Sequence, residues 1–375
     1  MDKMETILDR PAVVPVSGPS KTRTPLDWHW QMAHCIRSVS ELVERFPQLR
    51  DPDSAAKTSE KYPLSITPYY ASLIQRPDAT DPIFRMCVPQ MEELNDPSHL
   101  SPDPYREDHK MPVPHLIRRY EDRALLMATT TCAVRCRHCT RKRLSGMKES
   151  VVSKSQLDTI VDYLTAHPEI REVLVSGGDP FILSDDKLDE IFSSLKAVPS
   201  LDLLRIGTRV PVVIPQRITP ALTNTLRRHH PVWINTHFNH PRELTPEAER
   251  ACALLADAGC PMGNQTVLLR GVNDDSHTLE ALFRGLLKMR VRPYYLFQCD
   301  LVQGIEHFRT PLSRGLEIME YLRAQVTGLA IPQFVADTPG GGKIPLTTSH
   351  IVSTCPTHTV LLDYEGKKVS YPEPI

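Results

Sequence analysis

From residue 124 to residue 297, short apolar runs alternate with longer stretches in which apolar residues recur every three or four places. The short runs, at 124–129, 172–176, 203–207, 232–236, 265–269 and 292–297, suit buried strands. The longer stretches, at 155–166, 185–195, 220–229, 246–258 and 276–289, suit amphipathic helices. Strands separated by helices of this length form parallel βαβ units. The rhythm therefore predicts an α/β fold of six strand–helix units, an open or partial (β/α)6 barrel. One more helix is expected over 314–325, then a glycine-rich turn and a short β-rich tail.

Upstream of the barrel the period changes. Trp30, Met32, Ile36, Val39, Leu42 and Val43 fall at helical spacing and predict one amphipathic helix over 28–46. Proline-rich stretches follow, including Tyr62-Pro63-Leu64-Ser65-Ile66-Thr67-Pro68-Tyr69-Tyr70. The chain divides into a loosely ordered 1–24, a mainly helical N-terminal extension at 25–115, the barrel at 116–330, and a C-terminal segment, 331–375.

Composition narrows the class. The 375 residues carry a net charge of −1 with 24% charged side chains, which offers no basic face for nucleic acid or membrane. No apolar run approaches the ~20 residues that span a bilayer, and the first residues lack the apolar core of a secretory signal. Nine scattered cysteines, an odd number, do not read as a disulfide framework. A reducing cytoplasm is expected.

Three of those cysteines lie close together in Thr-Cys-Ala-Val-Arg-Cys-Arg-His-Cys-Thr-Arg, as Cys132, Cys136 and Cys139. Their C-x3-C-x2-C spacing can turn three soft donors toward one object, an iron–sulfur cluster, zinc or copper(I). A structural zinc takes four protein ligands, as does an ordinary electron-transfer cluster. Three thiolates on a cubane would leave one iron open. The plainer reading is a zinc knuckle completed by His138.

Two further motifs follow strands or turns. In Val175-Ser176-Gly177-Gly178-Asp179-Pro180 the glycines would let backbone approach a ligand, and Asp179 could accept from an ammonium; a tight turn is the alternative. Asp337-Thr338-Pro339-Gly340-Gly341-Gly342-Lys343 is not a nucleotide-binding loop, because Ile344 and Pro345 stand where Ser or Thr is required. A lysine amine can instead form a Schiff base with pyridoxal phosphate, and a surface loop is the alternative. Arg141 offers a planar fork for a carboxylate, or belongs to a solvated basic run with Lys142 and Arg143. Asp300 and Asp337 could neutralise a buried cation, or act as caps. His237 alone reads as structural, and Cys252 and Cys260 as buried and inert.

The cysteine triplet resembles that of radical S-adenosylmethionine enzymes. Arg205-Ile206-Gly207-Thr208-Arg209-Val210-Pro211-Val212-Val213, Asn235-Thr236-His237-Phe238-Asn239-His240-Pro241, the run from Gly263 to Asn273, and Gln298-Cys299-Asp300 resemble the lysine 2,3-aminomutase family. The likeness extends from about Trp28 to Pro374. It implies a barrel of the radical-SAM type, with a [4Fe–4S] cluster on Cys132, Cys136 and Cys139. S-adenosylmethionine would be held by Ser176, Gly177, Gly178, Asp179, His237 and Gln265. Lys343 would carry pyridoxal phosphate, with Arg119 and Arg123 facing it. Arg141 would clamp the substrate carboxylate, while Asp300 and Asp337 would receive its distal ammonium. The implied reaction moves the α-amino group of lysine to the β-carbon, giving β-lysine. Arginine is the alternative substrate, and a non-catalytic zinc-binding protein on the same fold the alternative class. The implied partners are the amino acid, an electron donor such as flavodoxin or ferredoxin, and further copies of the chain in a homo-oligomer. The family's subunit zinc site is expected to be absent, since Asp275 replaces one of its cysteines and no C-terminal cysteine cluster follows.

Overall fold

A computed structural model describes residues 27–144, 146, 148–339, 342–348, 350–355, 358–363 and 366–372. The 1–24 stretch lies outside them, as do Gly340 and Gly341. Nine strands form one sheet in sequence order: β1 (Leu116–Ile117), β2 (Arg123–Thr129), β3 (Glu172–Gly177), β4 (Leu203–Gly207), β5 (Val232–Thr236), β6 (Met262–Leu268), β7 (Arg292–Gln298), β8 (Gln333–Thr338) and β9 (Gly342–Pro345). Every neighbouring pair from β2 to β8 is parallel; β1 and β9 close the two ends antiparallel. Strands in sequential order with right-handed crossovers place the helices on one face, which is the partial barrel expected. Along β2 to β5 one set of alternate residues, including Leu126, Val173, Val175, Leu204, Ile206, Val232 and Ile234, is fully packed away. Leu125, Leu174 and Arg205 on the opposite face are only half-buried, leaving an interior that can take ligands.

The connecting helices begin where local chemistry starts them. Ser153, Ser184, Thr219, Thr245 and Asp275 each accept a backbone N–H in the first turn of Lys154–Ala166, Asp185–Lys196, Pro220–Arg228, Pro246–Asp257 and Ser276–Lys288. Asp275 is thus a helix cap. All six expected strands are present, and β8 adds a seventh parallel one, so the sheet runs on past residue 330. In Gln-Phe-Val-Ala-Asp-Thr the apolar run is short and ends in polar residues, which hid the strand. β9 folds back on it, pairing Asp337 with Lys343. The tail forms a separate antiparallel sheet of β10 (Ile351–Thr354), β11 (His358–Leu362) and β12 (Lys368–Pro372).

The expected helix over 28–46 is instead two, Trp28–Ala33 and Val39–Arg45. Between them Ile36 exchanges backbone hydrogen bonds with Ile66, at 2.8 and 3.0 Å, and a Ser38–Glu41 capping box starts the second helix. The extension is otherwise built of short helices, Pro52–Lys61, Pro68–Ser72 and Pro82–Cys87, each with proline in its first turn. Among the described residues no helix is long and apolar enough to cross a membrane.

Candidate functional site

Cys132, Cys136 and Cys139 follow β2 and line a cavity of about 210 Å³ at the C-terminal ends of the strands. Ser176 and Gly177 at the end of β3, Gly178 and Asp179 just beyond it, Gly207 at the end of β4, Thr208 and Arg209 just beyond it, His237 after β5 and Val267 on β6 line the same space. Gln265 lies two residues before Val267 and therefore on the same strand face. The sequence motifs thus converge on one volume, as expected where loops gather at the top of a barrel.

The cysteine loop is held from behind by the N-terminal extension. Arg135 N–H donates to the Ser65 carbonyl (2.9 Å), Ser65 Oγ to the Ala133 carbonyl (3.1 Å), and Arg137 N–H to the Met86 carbonyl (2.9 Å). Glu93, fully buried, accepts from Arg137 Nε (2.9 Å) and from Lys142 Nζ (2.6 Å). Burial brings Lys142 down to about 8 despite the Glu93 charge, while Arg137 and Lys142 together outweigh burial and hold the Glu93 carboxyl low. One anion therefore anchors two cations of the loop.

The thiols are close enough to act on each other. Burial first, then Cys139, Asp179 and Cys136, push Cys132 far above its ordinary value, and burial with Cys136 pushes Cys139 to about 11. Three thiolates here need compensating positive charge, which cluster irons supply on coordination. Arg209 already contributes some: its Nη1 lies 2.8 Å from Cys136 Sγ, while Nη2 donates to Tyr70 Oη (2.8 Å) and Glu243 Oε1 (2.7 Å). His138 turns Nε2 toward Asn239 Nδ2 (3.4 Å) and sets its ring edge-on to Phe308. No three His, Cys, Asp or Glu side chains among the described residues gather around one point suited to a single metal ion.

The Ser-Gly-Gly-Asp strip is also packed tightly against the backbone leading into the cysteine loop. A Cβ on Gly177 would stand 2.3 Å from the Thr129 carbonyl oxygen, and one on Gly178 would stand 2.1 Å from that of Thr131. The glycines admit the backbone entering the cysteine loop while also lining the cavity. Gly178 N–H and Asp179 N–H donate to those same two carbonyls at 2.6 and 2.8 Å. Asp179 Oδ1 accepts from Thr208 Oγ1 (2.7 Å) and Phe181 N–H (3.1 Å), and Oδ2 from Arg209 N–H (2.7 Å). A carboxylate has about four acceptor positions, and the Thr208 hydroxyl with the backbone N–H groups of Arg209, Phe181 and Val210 all act on this one. Burial raises Asp179 to about 6, and burial with the Arg209 charge lowers His237 to about 4, so His237 is neutral at pH 7.

A second cluster sits at the ends of β7, β8 and β9. Arg119 donates to Asp337 from Nη2 (2.7 Å) and Nη1 (3.3 Å), and Lys343 Nζ lies 3.3 Å from Asp337 Oδ2. Asp300 accepts from Tyr105 Oη and Thr140 Oγ1, each at 2.5 Å. Burial raises the Asp300 carboxyl, and nearby Asp337 raises it further. Arg123 stacks over Tyr120 at 4.0 Å from the ring centre, with Lys343 Nζ 5.6 Å from the same ring. Arg141 spends Nε (3.0 Å) and Nη2 (2.8 Å) on Glu107, leaving Nη1 without a partner among the described residues. Thr140 joins the two clusters, since it also lines the cysteine cavity.

Sequence reading missed Tyr105, Glu107, Thr140, Glu93 and Arg209. The first, second and fourth come from the extension, where no strand rhythm marks a site. Arg209 lay inside a quoted motif without a role.

The Radical SAM superfamily model matches residues 126–282, and a lysine-2,3-aminomutase model matches 319–375. The chain is 47% identical to L-lysine 2,3-aminomutase of Clostridium subterminale over 351 residues, covering 93% of this chain and 84% of the relative. It is 46% identical to L-lysine 2,3-aminomutase of Bacillus subtilis, covering 93% and 74%. It is also 43% identical to glutamate 2,3-aminomutase of Clostridioides difficile, covering 92% and 83%. With its cysteine triplet at the head of a parallel barrel, the chain belongs to the lysine 2,3-aminomutase family of radical S-adenosylmethionine enzymes, isomerases that move an amino group within one molecule.

Proposed function

We propose that the protein is a pyridoxal phosphate-dependent aminomutase that converts L-lysine to β-lysine. The supporting observation is the double-ended charge of the site. Asp300 and Asp337 stand side by side at the ends of β7 and β8, with Tyr105 Oη reaching Asp300 Oδ1 (2.5 Å) and the Asp337 carbonyl oxygen (3.5 Å). Arg141 supplies the opposite charge from the loop after β2. A substrate with a carboxylate at one end and a cation at the other matches this arrangement. Glutamate would set a second carboxylate against two aspartates, at considerable cost in a buried site. The aspartates favour this choice over glutamate, because sequence identity to both kinds of relative is similar.

Lys343, Arg123 and Tyr120 suit a phosphate-bearing aromatic aldehyde. The Lys343 amine is flanked by the rings of Tyr120 and Phe297 (5.7 Å), and the Tyr120 hydroxyl is buried with no partner among the described residues. Arg119, also expected to face this cofactor, is engaged by Asp337. When bound, pyridoxal phosphate supplies the carbonyl that carries the migrating amine, and the cluster with S-adenosylmethionine supplies the hydrogen-abstracting radical. The protein's own work is positioning. Asp337 holds the Lys343 ammonium until that amine is engaged, and the oxygen then released can take the substrate's distal ammonium. Arg141 offers Nη1 to the carboxylate while Glu107 steadies its other edge. Neutral His237 and Gln265 provide hydrogen bonds without adding charge near the cluster. The reading requires a one-electron donor of flavodoxin or ferredoxin type.

A guanidinium also satisfies two carboxylates, so arginine is the second reading. Anaerobic protein reconstituted with iron and sulfide, then given S-adenosylmethionine, pyridoxal phosphate and a reductant, is incubated with lysine, arginine or glutamate, and products are separated by chiral chromatography. β-Lysine is the expected main product. β-Arginine alone would select the second reading, and retained zinc with no cluster would defeat both. Lys343→Ala should abolish turnover and the absorbance of bound pyridoxal phosphate while the iron content stays at the wild-type level.

A further inference from the structure

Between Pro104 and Glu107 the chain adopts a form that L residues rarely take. Arg106 has φ 51° and ψ 45°, in the left-handed region, although it is not glycine. Arg106 stays in solvent, but the side chains on either side of it turn inward and are buried, Tyr105 at 4% exposure and Glu107 at 3%. Each ends on a different pole of the proposed substrate site. Tyr105 Oη donates to Asp300 Oδ1 at 2.5 Å, and both Glu107 oxygens accept from Arg141, at 2.8 and 3.0 Å. The Tyr105 ring also lies under the Arg119 guanidinium, 4.1 Å from ring centre to carbon, and Arg119 in turn grips Asp337. A single short strap thus touches the cation that would take a carboxylate and both anions that would take an ammonium.

The two poles belong to different loops. Arg141 follows β2, and Asp300 follows β7, on the far side of the sheet order. Thr140, next to Arg141, already ties the loop after β2 to Asp300 (2.5 Å), but that bond does not fix where the long, flexible Arg141 side chain places its guanidinium. The strap does so, through Tyr105 on Asp300 and Glu107 on Arg141, the two side chains that flank the left-handed Arg106. We propose that Tyr105 and Glu107 are positioning residues that set the spacing between Arg141 and Asp300, and thereby select an amino acid with the length of lysine between its carboxylate and its distal ammonium. The proposal rests on the substrate reading above and extends it to chain length.

The test uses holoenzyme of wild type, Tyr105→Phe and Glu107→Gln, with lysine and with ornithine, which is one methylene shorter. In each variant the KM for lysine should rise about tenfold, the effect of losing one charge-supported hydrogen bond, with kcat falling less than KM rises. The preference for lysine over ornithine should narrow at least threefold, and iron content should not change. Calorimetric binding of lysine to holoenzyme without S-adenosylmethionine should weaken by a similar factor. Unchanged KM, binding and preference in both variants would overturn the proposal, as would iron loss in proportion to kcat, which would make the strap a support for the cluster. If wild type binds lysine without converting it, the substrate reading fails, while the binding comparison still judges the strap.

Discussion

Gly178 has almost no room for a side chain. With the Thr131 carbonyl oxygen 2.1 Å from where its Cβ would stand, Gly178→Ala must push β3 away from the backbone that leads into Cys132. The cysteine triplet then loses its place relative to Asp179, and cluster assembly suffers before the fold does. Iron per chain after anaerobic reconstitution should fall by half or more, whereas Gly328→Ala, which meets nothing within 4 Å, should keep the wild-type value. Equal iron in the two would mean that the loop tolerates the shift. The motif was visible in the sequence, but the reason for its glycines was not. Only the pairing of β3 beside β2 shows that the crowding atoms belong to Thr129 and Thr131. Arg141 gives the same lesson. Its fork was recognisable from the residue type, yet its first partner, Glu107, lies 34 positions earlier in the chain, and no local spacing connects them.

The cysteine loop has no regular hydrogen-bonded structure of its own beyond a short turn, so its shape is imposed by neighbours. The extension provides this through the buried Glu93, which serves Arg137 and Lys142 together. Glu93→Gln keeps the shape and removes the charge, leaving two buried cations without their counter-ion. Removing one partner of such a group costs about 3–5 kcal/mol, so the variant should melt several degrees lower and hold less iron. Thermal unfolding followed by circular dichroism, with iron analysis of the same samples, checks this; wild-type melting would show that water or a carbonyl replaces the carboxylate. The helices of the barrel were readable because Ser, Thr, Asp and Pro mark their starts. The break near Ile36 was not readable, because apolar residues keep helical spacing across it, and the contact that interrupts the helix comes from Ile66. β8 escaped notice for the opposite reason: its hydrophobic content is modest, and β7 gives it the partner that makes it a strand.

Extension and barrel meet along a seam of ionisable groups that belongs to neither alone. His307, after β7, is half-buried, with both ring nitrogens out of solvent and neither bonded among the described residues, and burial lowers it to about 4, against a weaker upward pull from Glu93. Because its folded value lies below the ordinary 6.5, the folded state resists protonation that the unfolded chain accepts. Its contribution to stability is therefore intact above about pH 6.5 and is lost as pH falls toward 4, by about 3 kcal/mol. Denaturant unfolding at a series of pH values should show this slope, and His307→Asn should make it shallower between pH 6.5 and 4, with His237 supplying part of what remains; an unchanged slope would place the acid sensitivity elsewhere. The chain's own order of residues was enough to establish the repeating strand–helix rhythm, the starts of most helices, the cysteine triplet and the family, since these depend on neighbours within one or two turns. Which side chains hold which others was settled by folding alone. Glu93 under the cysteine loop, Asp179 tying β3 to the loop after β4, and Tyr105 and Glu107 spanning the site pair residues far apart in the chain. Their contacts arise from how the extension packs over the strand ends, and periodicity carries no record of that packing.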